Sequence, residues 1–291
     1  MKKKTRKRVK KNKNKYSISF IAIETIIFLG TQLLGLYIGF VLFNIEEVRQ
    51  IIEEQDMSIV SFIISFSIGT ALLLLLIKYV KTGSIFKLIF YFMLFFGVLT
   101  FFDVFIPLQI NLLLTSILII IRYYKKIVVL HNLTLVLSII GISSYLGLGL
   151  SVAQTLVILL ILIVYDYIAV HKTGHMVEMF QKMAVKGAMF SVVIPNKFKL
   201  LFTDMDEAKP GEQFLFLGTG DLAFPIVFSV SALKFSILHS VLIIVGAFAG
   251  IIVINLYQRY AKNVQAMAAL PPIAGGAAIG FVVAMLITLL R

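Results

Sequence analysis

Val164-Tyr165-Asp166-Tyr167 and Gly218-Thr219-Gly220-Asp221 each set one carboxylate inside an otherwise apolar span. An ionised group is costly in hydrocarbon, so such a residue is a functional candidate by default. Two of them suggest a pair. Whether the chain brings Asp166 and Asp221 to one depth of a membrane decides how everything around them is read.

The surroundings are those of an integral membrane protein. Of 291 residues, 60% are hydrophobic and 14% charged, and the mean hydropathy of +1.00 is far too apolar for a domain with a polar surface. Apolar runs recur along the whole length with one long polar interruption, which predicts a single membrane domain. There are no cysteines, which excludes disulfides, thiolate nucleophiles and cysteine metal sites. The net charge of +13 does not point to nucleic acid, because ten of the 27 Lys and Arg residues lie between Lys2 and Lys15, directly before an apolar run. There each is attracted to anionic headgroups by about 1 kcal/mol. Residues 1–15 are therefore read as a basic cytoplasmic tail. The run that follows is too long for the core of a signal peptide and has no small-residue cleavage site, so it is read as a retained helix.

Crossing about 30 Å of hydrocarbon takes roughly 20 residues of helix. Nine spans are predicted: Tyr16 to Phe43, Ser58 to Ile77, Leu88 to Ile106, Leu108 to Ile121, Ile127 to Leu150, Val152 to Val170, Phe214 to Leu233, Ser236 to Tyr257 and Met267 to Leu290. The chain thus divides into the tail, helices one to six over 16–170, a cytoplasmic loop over 171–213 and helices seven to nine over 214–291. With the N-terminus inside, 24 basic residues fall on the inner side and only Arg49, Lys234 and Arg291 outside, as the bias of basic residues toward cytoplasmic loops requires. The expected protein is all-α and multi-pass in the cell membrane, with its N-terminus cytoplasmic and its C-terminus outside. The acidic loop with Glu46, Glu47, Glu53, Glu54 and Asp56 falls outside. Within the inner loop, Met176, Met179, Phe180 and Met183 give Gly174 to Lys186 the spacing of an interfacial helix. Ala188 to Ile194 and Lys197 to Phe202 have strand-like composition, separated by Pro195-Asn196.

On this topology Asp166 lies about four residues before the inner end of span six and Asp221 about seven after the inner start of span seven. Both are then roughly 6 to 10 Å below the cytoplasmic boundary. Two carboxyl groups close together in a low dielectric share a proton, so one can activate a water while the other protonates a departing amine. Gly218 and Gly220 leave no side chain before Asp221 and allow close approach of a helix or of substrate backbone. Ala269-Leu270-Pro271-Pro272 opens span nine at the same level, and its prolines deny the backbone two donors. An irregular backbone at that depth is tolerated only beside a wet cavity or buried in protein. The plainer reading is a helix that starts on proline.

Tyr-Asp in span six, Gly-x-Gly-Asp in span seven and an Ala-Leu-Pro segment in span nine together resemble the presenilin and signal peptide peptidase family of intramembrane aspartyl proteases. The resemblance covers nearly all of the chain after the basic tail. It implies that Asp166 and Asp221 are catalytic, that Tyr165, Gly218 and Gly220 support them, and that Ala269, Leu270 and Pro271 help position substrate. It implies transmembrane proteins as substrates, cleaved within their membrane segments, with no cofactor and no metal. Pro225 in Gly-Asp-Leu-Ala-Phe-Pro looks closer to the signal peptide peptidase branch and to archaeal homologues. The charge split favours the presenilin orientation and hence substrates whose N-terminus is outside. Two departures stand out. Ala268 occupies the place of the proline in the family's Pro-Ala-Leu, and the loop before span seven is much shorter than in animal presenilins.

A helical substrate must unwind before cleavage, and the strand-like segments around Ala188 to Ile194 and Gln213 to Leu217 can capture it by strand addition. The rival from another class is an ion-coupled transporter binding protons or sodium at Asp166 and Asp221, but neither midplane placement nor an inverted repeat is evident. A prepilin-type peptidase also uses Gly-x-Gly-Asp and fits the helix count poorly. Whether copies of the chain associate is open. Glu24, in span one, is assigned to packing or partial hydration, and Asp103 to the outer boundary. His131 and His239 are expected to be hydrogen-bonded within the bundle, and His171 with His175 lacks a third zinc ligand.

Overall fold

The computed structural model describes residues 18–54, 58–79, 83–171, 189–209, 211, 213–260 and 269–290. These form ten α-helices and one two-stranded antiparallel hairpin. The helices are α1 (Ile18–Phe43), α2 (Glu46–Glu54), α3 (Ile59–Tyr79), α4 (Gly83–Asp103), α5 (Leu108–Tyr124), α6 (Val128–Gly149) and α7 (Val152–His171). After the hairpin strands β1 (Ser191–Pro195) and β2 (Phe214–Gly218) come α8 (Thr219–Ser231), α9 (Ile237–Tyr260) and α10 (Leu270–Leu289). By length and composition α1, α4, α6, α9 and α10 are each apolar enough to cross a membrane, and α5 and α7 are shorter apolar helices. The molecule is an all-α membrane protein carrying a small hairpin.

Two segments depart from the sequence expectation. The acidic segment after α1 is not a plain loop, because Glu46–Glu54 forms α2. Lys197 to Phe202 is not a strand: Phe198–Phe202 closes into a 3-10 turn. That turn packs Leu200 and Leu201 on a cluster of Val128, Val193, Ala208 and Phe214, a burial that a lone strand with no partner would not provide. The strand expected around Gln213 to Leu217 is present as β2, which takes up the first five residues of span seven, so that the helix begins only at Thr219. Aromatic and branched residues suit a pleated half-buried strand, and Phe214, Leu215, Phe216 and Leu217 find a partner in Val192 to Pro195. The expected interfacial helix over Gly174 to Lys186 lies outside the described residues.

α8 is the centre of the bundle. It packs against α1, α6, α7, α9 and α10, and every residue from Pro225 to Leu233 is buried. Small residues permit this crowding. Gly35 and Gly39 of α1 receive Ile226 and Val230 of α8. A Cβ on Gly246 of α9 would run into the Gly276 carbonyl of α10, and one on Gly276 into the Gly246 carbonyl. The two backbones therefore touch, as small residues allow in membrane helix pairs.

Polar side chains fasten the hairpin to the bundle. Asn132 of α6 donates to the Val193 carbonyl at 2.6 Å and accepts from the Val193 N–H at 2.8 Å. Its amide thus takes the place of a neighbouring strand on the outer edge of β1. One residue earlier, His131 lies between Arg122 Nη2 at 2.8 Å and the Ser191 carbonyl at 2.9 Å. A guanidinium only donates and a carbonyl only accepts, so His131 is the neutral Nε2–H tautomer. Arg122 also donates to the Tyr91 hydroxyl at 2.8 Å and lies over the Phe90 ring, 5.0 Å from its centroid.

Gly246→Ala is expected to destabilise the bundle by about 1 to 3 kcal/mol through overpacking. Gly30→Ala, where a Cβ meets nothing within 4 Å, should be neutral or stabilising by up to about 1 kcal/mol from helix propensity. Thermal unfolding of both variants in detergent checks the contrast.

Candidate active site

Asp166 occupies the second-last turn of α7. Its neighbours Val164, Tyr165, Tyr167 and Ile168 are exposed, whereas Asp166 is partly buried, as are Leu162 and Ile163 one turn before it. The i, i+3, i+4 spacing puts these three on the inward stripe. That stripe belongs to a helix packed on α8 and α10. Tyr165, expected from the resemblance to support the site, exposes 53% of its surface and points away from that stripe.

Asp221 is placed by the start of α8. Gly218 is the N-cap residue, in extended conformation with φ −62° and ψ 142°, and has no side chain to cap with. Asp221 stands three positions on, and its carboxylate accepts the backbone N–H of Gly218. This is one half of a capping box, with the acid reaching back to the N-cap amide near the positive end of the helix. A Cβ on residue 218 would stand 3.0 Å from Asp221 Oδ2, so glycine there makes room for the carboxylate. At Gly220 a Cβ would meet the Phe224 ring of the same helix, 3.4 Å away. Four residues after Asp221, Pro225 lacks the N–H that would bond the Asp221 carbonyl, so the turn holding the carboxylate is free of one helical bond.

The two aspartates are brought together: the Asp166 carboxyl lies within electrostatic reach of Asp221. A third acid joins them. Glu24 of α1, 4% exposed, is within the same reach of Asp221. The sequence reading assigned Glu24 to packing or partial hydration. The signal that would have found it was the one used for Asp166, since Glu24 is the lone carboxylate in the first apolar run.

Ala269, Leu270 and Pro271 open α10 at the same end of the bundle, and Leu270 is buried in the core cluster that holds Leu217 and Leu222. The helix is regular there, with Ile273 N–H bonding the Ala269 carbonyl. The prolines sit in the first turn, where N–H groups have no helical partner and their absence costs nothing. The proline-started helix is thus the observed form. His239 bonds Ser236 Oγ at 2.8 Å, and the Tyr145 hydroxyl donates to Asp103 at 3.0 Å. No group of three or more His, Cys, Asp or Glu stands in metal-binding arrangement among the described residues. His175 lies outside them.

A sequence profile described as signal-peptide peptidase, presenilin aspartyl protease matches residues 25–290. Two solved structures are similar, each of a presenilin family intramembrane aspartate protease. The one in space group C222 is 21% identical, covers 90% of this chain and 96% of its own, and has a TM-score of 0.60. The one in space group P2 is 23% identical, with 89% and 97% covered and a TM-score of 0.56. Comparison with curated proteins finds no match. The matched segment takes in both aspartates, the hairpin and the start of α10, and the chain belongs to the signal-peptide peptidase and presenilin family of intramembrane aspartyl proteases.

Proposed function

We propose that Asp166 and Asp221 are the catalytic pair of this protease. The observation that carries the reading is their mutual electrostatic reach at one end of a bundle whose helices are otherwise apolar. One carboxyl keeps a proton and the other, ionised, takes a proton from a water held between them. The oxygen of that water adds to the scissile carbonyl, and the first carboxyl passes its proton toward the carbonyl oxygen. Collapse of the tetrahedral intermediate breaks the carbon–nitrogen bond, and the departing amine takes a proton from the pair. The Gly218 N–H engages the Asp221 carboxylate and fixes its rotamer, which favours a single water geometry. Gly218 acts here as a support. Leu270 and its neighbours Ala269 and Pro271, at the start of a helix packed against α7, are suited to position the substrate beside the pair.

Cleavage needs an extended substrate, because a helix hides the scissile carbonyl in its i to i−4 bond. The hairpin supports capture by strand addition, and its edges are unequal. Asn132 and His131 occupy the outer edge of β1 at Val193 and Ser191. A third strand therefore joins beside β2, whose last residue, Gly218, leads directly into the Asp221 turn. The substrate class is the transmembrane segment of another membrane protein. We read the chain as nine membrane crossings with a cytoplasmic N-terminus, supported by the excess of basic residues on one side. On that reading substrates enter with their N-terminus outside.

Three outcomes test this. In detergent with a single-span substrate, Asp166→Ala and Asp221→Ala should each lower kcat by at least about 1,000-fold with the fold retained, and activity surviving either change removes the pair. Phe216→Pro deletes a donor on the side of β2 away from β1, because Val193, its register partner, turns its own N–H and carbonyl to Asn132. It should lower kcat/KM about tenfold or more while the hairpin persists, and unchanged turnover rules out capture beside β2. Third, matched substrates reconstituted in both orientations should be cleaved preferentially with the N-terminus outside. Preference for the opposite orientation inverts the proposed topology.

A further inference from the structure

Glu24 lies at the foot of a seam that ends at the catalytic turn. Along this seam Gly39 of α1 meets Val230 of α8, Gly35 meets Ile226, and Gln32 Nε2 donates to the Leu222 carbonyl at 2.9 Å. The contacts descend both helices in step, so α1 and α8 run parallel. One turn below Gln32 the stripe passes through Phe28, which is fully buried, and one turn further it reaches Glu24. The same descent on α8 leaves the helix at Gly218, toward which the Asp221 side chain folds back. α1 also packs against β1. A long acidic side chain, 4% exposed, is thus carried to the turn that holds Asp221, with its carboxyl in electrostatic reach.

We propose that Glu24 is a positioning residue of the protease, a third carboxyl that governs how many protons the Asp166 and Asp221 pair retains. The inference rests on that pair being catalytic. Charges of one sign in a low dielectric oppose each other's ionisation, so an ionised neighbour makes an acid pair give up its last proton only in more alkaline solution. Water addition needs that proton for the oxygen of the scissile carbonyl. Glu24 acts through Asp221 and touches no substrate atom. The Gln32 bond to the Leu222 carbonyl ties α1 to the residue after Asp221.

Few other titratable groups compete for this role. The described strands carry none, and α10 has none over 270–290. On α6, His131 is committed to Arg122 and Ser191, and Tyr145 to Asp103. On α9, Tyr257 and Arg259 are exposed and His239 bonds Ser236, while on α2 Glu46, Glu47 and Arg49 are exposed beyond the far end of α1.

The test is the pH dependence of turnover for the full chain in detergent, from about pH 5 to about pH 9, for wild type, Glu24→Gln and Glu24→Met. Both variants should lose the alkaline limb about one pH unit earlier, so that kcat falls about tenfold in mildly alkaline solution while KM stays within about twofold. A purely structural role would lower activity evenly across pH. A folded variant of either kind that keeps the wild-type profile, whether at full or uniformly reduced rate, overturns the proposal. A measurement independent of Glu24 variants is infrared titration of carboxyl-13C-glutamate-labelled chain with and without Asp221→Asn. Displacement of the buried glutamate band is expected, and an unmoved band overturns the coupling. The result is separable from the pair itself, because Asp166→Ala and Asp221→Ala report on catalysis whatever Glu24 does.

Discussion

The hydrogen bond from the Gly218 N–H to the Asp221 carboxylate is the contact on which the site depends. A carboxylate inside an apolar bundle must find donors, and the start of a helix offers them without any added side chain. That requirement explains why the polypeptide changes from strand to helix at residue 218, after five residues of β2 and three before the acid. It also explains the glycine, since a Cβ there would press on Oδ2. The strand that would receive substrate and the acid that would cut it are consecutive because one turn serves both.

Around this turn the packing separates rigid from polar parts. α9 and α10 touch through backbone at Gly246 and Gly276, and α1 lies against α8 at Gly35 and Gly39. Those seams hold the helices in fixed register. The polar groups Asn132, His131 and Arg122 gather instead where the hairpin meets α5 and α6. There the backbone of β1 would otherwise present unpaired groups to an apolar interior, which is costly.

Much of this was legible in the chain. The helices announced themselves as apolar runs of membrane length, and Asp166 and Asp221 as carboxylates that such runs do not tolerate idly. The same reasoning failed where hydrophobicity and conformation part company. Counting apolar residues put Phe214 to Leu217 inside a helical span, whereas its strand-like composition was the better guide, since it pairs with Val192 to Pro195. Lys197 to Phe202 looked like a strand and curls, because its leucines have a cluster to enter. Glu24 was passed over because a single acid in a first helix has a bland explanation, and its meaning comes from α8, nearly two hundred residues later in the chain. The role of Asn132 was not legible at all, since nothing local marks an amide that will stand in for a strand.

That amide has a consequence for how the polypeptide is joined. Val193, in the second half of the molecule, is clasped on both its N–H and its carbonyl by a residue of the first half, and Ser191 by another. One acid of the pair belongs to each half, Asp166 before the hairpin and Asp221 after it. Among the described residues, the docking between the part before 171 and the part after 189 is built from side-chain clasps and glycine seams. The architecture is that of two complementing pieces, each carrying one of the two aspartates.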